Sequence, residues 1–229
     1  MKIEIWSDVI CPFCYIGKRH LESALKKFPD QQVEVIWKSF QLNPEIPEKV
    51  DQNVYKYLAE VKGLSVEESK SMHANVERMA AAAGLNYNFD IAKVANSFNA
   101  HRVLQLAKRM NQGDALKEAL LKAYFTDGKD INDKETLVEI SAKVGITDQD
   151  VDLALSEDKF AQDVQKDIAE SQQIGVRGVP FFVFDGKYGI SGAQPVAHFE
   201  QTIQQALGEA QKETNSNASR EYCEPDGDC

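Results

Sequence analysis

The residues of this chain best suited to chemistry are the two thiols of Cys11-Pro12-Phe13-Cys14. At C-x-x-C spacing both sulfurs fit within one helical turn and can close a small disulfide ring. The stretch before them, Lys2-Ile3-Glu4-Ile5-Trp6-Ser7, alternates apolar and polar side chains as a half-buried strand does. After them, Ile16, His20, Leu21, Ala24, Leu25 and Phe28 recur at helical spacing. The motif therefore lies on a strand-to-helix junction, with Cys11 at the helix N-terminus. Unpaired backbone N–H groups and the helix dipole favour an anion there. A thiolate is such an anion, its pKa falls in such a place, and it is the nucleophile of thiol–disulfide exchange.

The remaining cysteines, Cys223 and Cys229, stand at C-x5-C spacing near the C-terminus. Pro225 and Asp226-Gly227 form a turn that would bring their sulfurs together. Glu221, Glu224, Asp226 and Asp228 surround them with negative charge, which raises thiol pKa and suits an accessory dithiol better than a primary nucleophile. Four thiolates would suffice for zinc, but the wide spacing and the lack of a second C-x-x-C speak against a metal site. Trp6, Phe13 and Tyr15 are candidates for apolar walls around the motif, or for ordinary core. Asp8 reads as a cap or loop contact.

The sequence has 229 residues, 43% hydrophobic and 27% charged, within the range of globular proteins. A net charge of −10 argues against nucleic acid or an anionic membrane as partner. No apolar run is long enough for a transmembrane helix. The first residues lack the pattern of a signal peptide, and cleavage there would remove the motif. The expected location is cytoplasmic, where disulfides are mostly transient and catalytic.

The elements that must position the thiols follow from periodicity. Val33–Phe40 is β-branched and aromatic and reads as a second strand, completing a right-handed βαβ unit with parallel strands. From Glu48 to Gln173 the period is helical. Ser65-Val66-Glu67-Glu68 has capping-box form and opens a helix to Ala83. Further helices are predicted from Asp90 or Ala92 to Met110, Asp114 to Phe125, Asp133 to Gly145, Thr147 to Leu155, and Lys159 to Gln173. Val179–Phe184 and Tyr188–Ser191, joined by Asp185-Gly186, form a hairpin. Pro195 begins a helix to about Leu207, and Lys212–Cys229 lacks periodicity and reads as a mobile tail. The predicted fold class is α/β. Residues 1–44 and 174–208 form one domain, 45–173 an inserted helical subdomain, and 209–229 an acidic tail carrying a cysteine pair.

Strand, CxxC, helix, strand, helical insertion, then Val-Pro at a hairpin resembles the DsbA-like branch of thioredoxin-fold oxidoreductases. More narrowly it looks like the cytosolic FrnE-type subfamily. The stretches carrying the resemblance are Ser7–Gly17, Phe40-Gln41-Leu42-Asn43-Pro44, Asn99-Ala100-His101-Arg102, Ala123–Ile131 and Gly175–Phe182, within residues 1 to about 208. The resemblance implies a thioredoxin-like fold and disulfide exchange with protein thiols or exposed hydrophobic peptide. It implies that Cys11 attacks, Cys14 resolves, Pro12 and Phe13 tune the potential, and Pro180 is a cis-proline facing the dithiol. Val179 would then offer its backbone to a substrate strand. His101 either packs between helices or faces the active-site groove. No cofactor is implied beyond the redox-active disulfide, with glutathione a candidate reductant. Two departures are visible. The dipeptide lacks the histidine of strongly oxidising DsbA proteins, and the C-terminal pair is C-x5-C with Cys229 last. The alternative is a kappa-class-like glutathione transferase or hydroxychromene-carboxylate isomerase. These use one serine or cysteine at the Cys11 position and have no need of Cys14. Chaperone-like binding through the same apolar groove would coexist with exchange.

Overall fold

The computed structural model describes residues 1–218, with side chains through residue 209; Cys223 and Cys229 lie outside the described residues. The two strands predicted around the motif are parallel neighbours. β1 (Lys2–Ser7) leads through α1 (Pro12–Leu25) to β2 (Glu34–Ser39). On the other edge of β1, β3 (Phe181–Phe184) pairs antiparallel and β4 (Tyr188–Ser191) returns beside it, giving the order β2-β1-β3-β4. The register sets Ile5 between Trp37 and Phe182. On that face Ile3, Ile5, Trp37, Phe184 and Ile190 pack with Leu21 and Ala24 of α1, and with Phe199 and Ile203 of α9 (Val196–Ala218). Phe182 and Phe199 meet edge to face at 4.8 Å, an arrangement aromatic quadrupoles favour.

Seven described helices connect β2 to β3: α2 (Val54–Lys62), α3 (Val66–Ala82), α4 (Phe98–Arg109), α5 (Gly113–Phe125), α6 (Lys134–Ala142), α7 (Asp148–Ser156) and α8 (Asp158–Gln173). Their starts are set locally. Ser65 with Glu68 and Thr147 with Asp150 form capping boxes, and Asn53 and Asp133 accept from the third residue of their helices, satisfying donors a helix leaves open. Leu104, Leu116, Leu120, Phe125, Leu137 and Phe160 build a second core, to which Val9, Tyr15 and Ile16 also belong. The active-site helix thus has one face in each core, and neither can shift without moving the dithiol. Asp167 of α8 ties the layers together. It accepts from Ser39 N at 2.9 Å and Gln105 Nε2 at 2.6 Å.

Two boundaries differ from the sequence expectation. Residues 90–97 are not helical. The Asn96 side chain accepts from Phe98 N at 2.9 Å and donates to Pro44 O and Ile46 O at 3.1 and 2.8 Å, stapling this segment to the loop after β2. The last helix runs to Ala218, beyond the predicted stop near Leu207.

Gly128, after α5, holds φ +65° with its would-be Cβ 2.6 Å from Ile91 O. Gly63 has φ +66° and open space. A left-handed backbone costs a non-glycine residue about 1–2 kcal/mol. Gly63→Ala is expected to lose about that much, and Gly128→Ala distinctly more because backbone must also move. Urea-unfolding midpoints of the two variants check the difference.

Candidate active site

β1 ends at Ser7, and a four-residue turn closed by Cys11 N donating to Asp8 O at 3.3 Å delivers Cys11 to the N-cap of α1. Cys11 is extended (φ −89°, ψ 113°), and no side chain caps the helix. Pro12 follows at the first helical position, where its missing N–H costs nothing. Both cysteines are free thiols, Cys11 2% exposed and Cys14 fully buried. Of the motif, only Phe13 stands out into solvent, 38% exposed.

Across the motif, Cys11 Sγ lies 3.4 Å from the carbonyl of Val179, within reach of its S–H. The Val179–Pro180 bond is cis. This approach depends on Gly17, one turn after Cys14: a Cβ there would sit 3.0 Å from Pro180 Cγ and 3.1 Å from Phe182 Cζ. Behind the motif, Tyr87 donates to Pro12 O at 2.7 Å. Its ring stacks on Phe125 at 4.6 Å and on Tyr15 at 6.1 Å, so the helical region grips the dipeptide backbone. Tyr15 OH bonds Glu118, which also holds Lys18 at 3.0 Å and Arg19.

The charges beneath the thiols are buried. Asp8 accepts from Leu42 N at 2.7 Å and from His101 Nε2 at 3.3 Å. Burial alone would raise the Asp8 pKa, but the hydrogen bond and charge of His101 and the Leu42 N–H hold it below its ordinary value. Burial drives His101 down despite Asp8, so the imidazole is neutral and Nε2 carries its proton. His101 is 1% exposed and does not face the groove. Lys117 of α5 is equally buried and donates to Ser7 O at 3.4 Å.

The two thiols share a hydrogen bond and titrate as one unit. That bond, burial and the charge of Cys14 push the Cys11 pKa well up. Burial opposes ionisation of Cys14, yet the hydrogen bond from Cys11, the Lys117 ammonium and Ser7 outweigh it, and its pKa falls. The pair's first negative charge therefore forms on the inner sulfur. Moving one proton along the shared bond puts it on Cys11, which substrate can reach.

Cys11, Pro12, Phe13, Val179 and Pro180 are thus brought together. Trp6 and Tyr15 do not wall the groove: they are 2% and 3% exposed, and Trp6 Nε1 donates to Asp167 O at 2.9 Å. Tyr87 and Lys117 escaped the sequence reading. Tyr87 sits in an irregular segment with no periodicity to mark it. Lys117 did carry a signal, for it shares an otherwise apolar helical stripe with Leu120, Leu121 and Tyr124. Among the described residues no group of three His, Cys, Asp or Glu side chains is arranged to hold a metal, and no helix is long and apolar enough to cross a membrane.

Comparison with known proteins agrees with this architecture. A probable DsbA oxidoreductase of Streptomyces coelicolor superposes with a TM-score of 0.86 at 40% identity, covering 91% of each chain. The uncharacterized protein YwbO of Bacillus subtilis is 27% identical over 88% of this chain and 94% of its own length. The cytosolic disulfide reductase DsbM of Pseudomonas aeruginosa, solved with GSH, shares the fold at TM-score 0.66 and 15% identity, covering 90% of this chain and 99% of its own. The family model for the DSBA-like thioredoxin domain matches residues 2–204, and the chain belongs to that family of oxidoreductases.

Proposed function

We propose that the chain is a thiol–disulfide oxidoreductase that exchanges disulfides with protein substrates through Cys11 and Cys14 in a reducing, cytoplasmic compartment. The observation that carries this is the inequality of the two sulfurs. One sits at an uncapped helix N-terminus 3.4 Å from a backbone carbonyl, and the other is fully buried behind it, where the charge of Lys117 favours its ionisation. The Cys11 thiolate attacks one sulfur of a substrate disulfide, forming a mixed disulfide and releasing the other sulfur as thiolate. Cys14, its proton passing to the thiolate just released, then attacks Cys11 Sγ, closing the Cys11–Cys14 disulfide and releasing the second substrate sulfur as a thiolate. Reversal of both steps donates the disulfide.

In the mixed disulfide Cys11 has lost its proton, so the Val179 carbonyl is free to accept from a substrate N–H, as an added strand would require. Exposed Phe13 offers an apolar contact beside it. Pro12 and Phe13 tune the potential by leaving the dipeptide without charge. Glutathione is the candidate reductant, and Cys223 and Cys229 form an accessory dithiol exchanging electrons with the first. Isomerase activity follows from running both directions on one substrate.

Reduction of insulin and refolding of scrambled ribonuclease test the assignment. The native protein is expected to catalyse at least one, and Cys11→Ser neither. Full activity in Cys11→Ser would overturn it.

A further inference from the structure

Lys117 is a buried cation with no contact ion pair. It is 1% exposed, and its Nζ reaches Ser7 O at 3.4 Å and lies 5.5 Å from the Trp37 ring centroid. Among the described residues no carboxylate comes within 4.0 Å of it. The ionisable groups facing it are Asp8, Cys11 and Cys14 around the start of α1, Lys18 on α1, and His101 on α4. Lys18 is occupied by Glu22, Asp114 and Glu118, and the Asp8 carboxylate by Leu42 N and His101. A buried ammonium without a partner is costly, and such a group loses its proton unless a negative charge forms beside it. The dithiol forms that charge only when reduced.

We propose that Lys117 is the electrostatic partner of the reduced dithiol, supplied by the helical insertion in place of a charged residue in the Pro12-Phe13 dipeptide, and that its protonation is coupled to the redox state of Cys11–Cys14. This rests on the exchange reading given above. Two electrons from a thiol reductant such as glutathione, with two protons, convert the Cys11–Cys14 disulfide and a Lys117 amine into a Cys11 thiol, a Cys14 thiolate and a Lys117 ammonium. The S–S bond breaks, one proton goes to Cys11 and one to Lys117, and the pocket's net charge is unchanged. Lys117 acts through Cys14 and is a positioning residue. Its pKa, pulled down to about 8 by burial and supported by Cys14, Asp8 and Cys11, lies where both of its states are reached near neutrality.

The reduction equilibrium against glutathione, with the cysteine thiolate titrated by its ultraviolet absorbance, tests this in the full chain. Lys117→Met is expected to raise the pair's lower apparent pKa by about one unit, a tenfold change. The fraction reduced at a given glutathione ratio should fall correspondingly, about 30 mV towards reducing potential. Lys117→Arg should restore much of both. Should Lys117→Met not fold, the native protein still decides: the Lys117 amine, titrated by NMR, should have a lower pKa in the oxidised than in the reduced form. Equal Lys117 pKa in both redox states, or an unchanged equilibrium in folded Lys117→Met, would overturn the proposal while leaving exchange intact. A native protein whose Cys11 and Cys14 do not cycle in glutathione buffers would overturn exchange itself, and the coupling with it.

Discussion

Cys14→Ser protein is expected to accumulate as a covalent mixed disulfide on Cys11, and its multiple turnover to fall by roughly a hundredfold or more, because release then waits for an external thiol in place of one held in contact. The expectation rests on the asymmetry of the site. Cys14 is fully buried and hydrogen-bonded to Cys11, so it cannot take the first attack on a folded or extended chain. It is already placed for the second. Removing it also removes the inner charge that shares a proton with Cys11, leaving the outer thiol to ionise at the helix N-terminus alone. The adduct should appear on non-reducing gels, map to Cys11 by mass spectrometry, dissolve with dithiothreitol, and be absent from Cys11→Ser. Retained turnover of Cys14→Ser with tightly bound glutathione would point instead to single-thiol chemistry of the kappa-class transferase or hydroxychromene-carboxylate isomerase kind.

The parts of the site legible in the chain are those fixed by local rules. Alternation in Lys2–Ser7, the helical spacing after Cys14 and the Asp185-Gly186 turn place the dithiol at a strand–helix junction with a hairpin along β1, and β1, α1, β3 and β4 lie where these signals put them. Caps were legible for the same reason: Ser65 and Glu68 meet within one turn whatever lies beyond. The parts not legible depend on tertiary neighbours. Residues 90–97 have helical composition, but Asn96 finds better partners in the backbone of Pro44 and Ile46. Trp6 and Tyr15 looked equally able to line a groove or fill a core, and only the packing of α5 and α8 over β1 and α1 decides for the core. His101 is a comparable case. Its spacing puts it on α4, yet only the fold shows that the face it occupies closes over Asp8, where the imidazole is dry and neutral. The dipeptide shows only that it lacks a histidine; that the buried Lys117 of α5 reaches the carbonyl of Ser7, at the end of the strand leading into the motif, is a tertiary fact.

Asp8→Ala is expected to cost about 3 kcal/mol of folding stability at pH 7, the order for leaving two buried donors without their charged acceptor. The loss has two parts on the page: Leu42 N, which donates at 2.7 Å, is left buried without an acceptor, and His101 loses the partner of its Nε2–H. Lys117 also loses a favourable neighbour, which adds to the cost whenever the amine is charged. The pH dependence identifies the cause. The folded pKa of Asp8 lies below its ordinary 3.8, so the unfolded chain takes up the proton first as pH falls. The Asp8 contribution is therefore complete above about pH 4 and is lost as pH drops through the folded value. His101, also depressed from 6.5, works in the same sense at higher pH. Its contribution is complete above 6.5 and falls as the unfolded chain's histidine protonates, and it falls further in the variant, where Asp8 no longer supports the proton on His101. The gap between native and Asp8→Ala unfolding midpoints should thus hold steady above about pH 7, widen as pH falls through the histidine range, and narrow again below about pH 4. A gap that kept widening below about pH 4 would mean that Asp8 is buried as the neutral acid and that its bond to His101 does not stabilise a carboxylate.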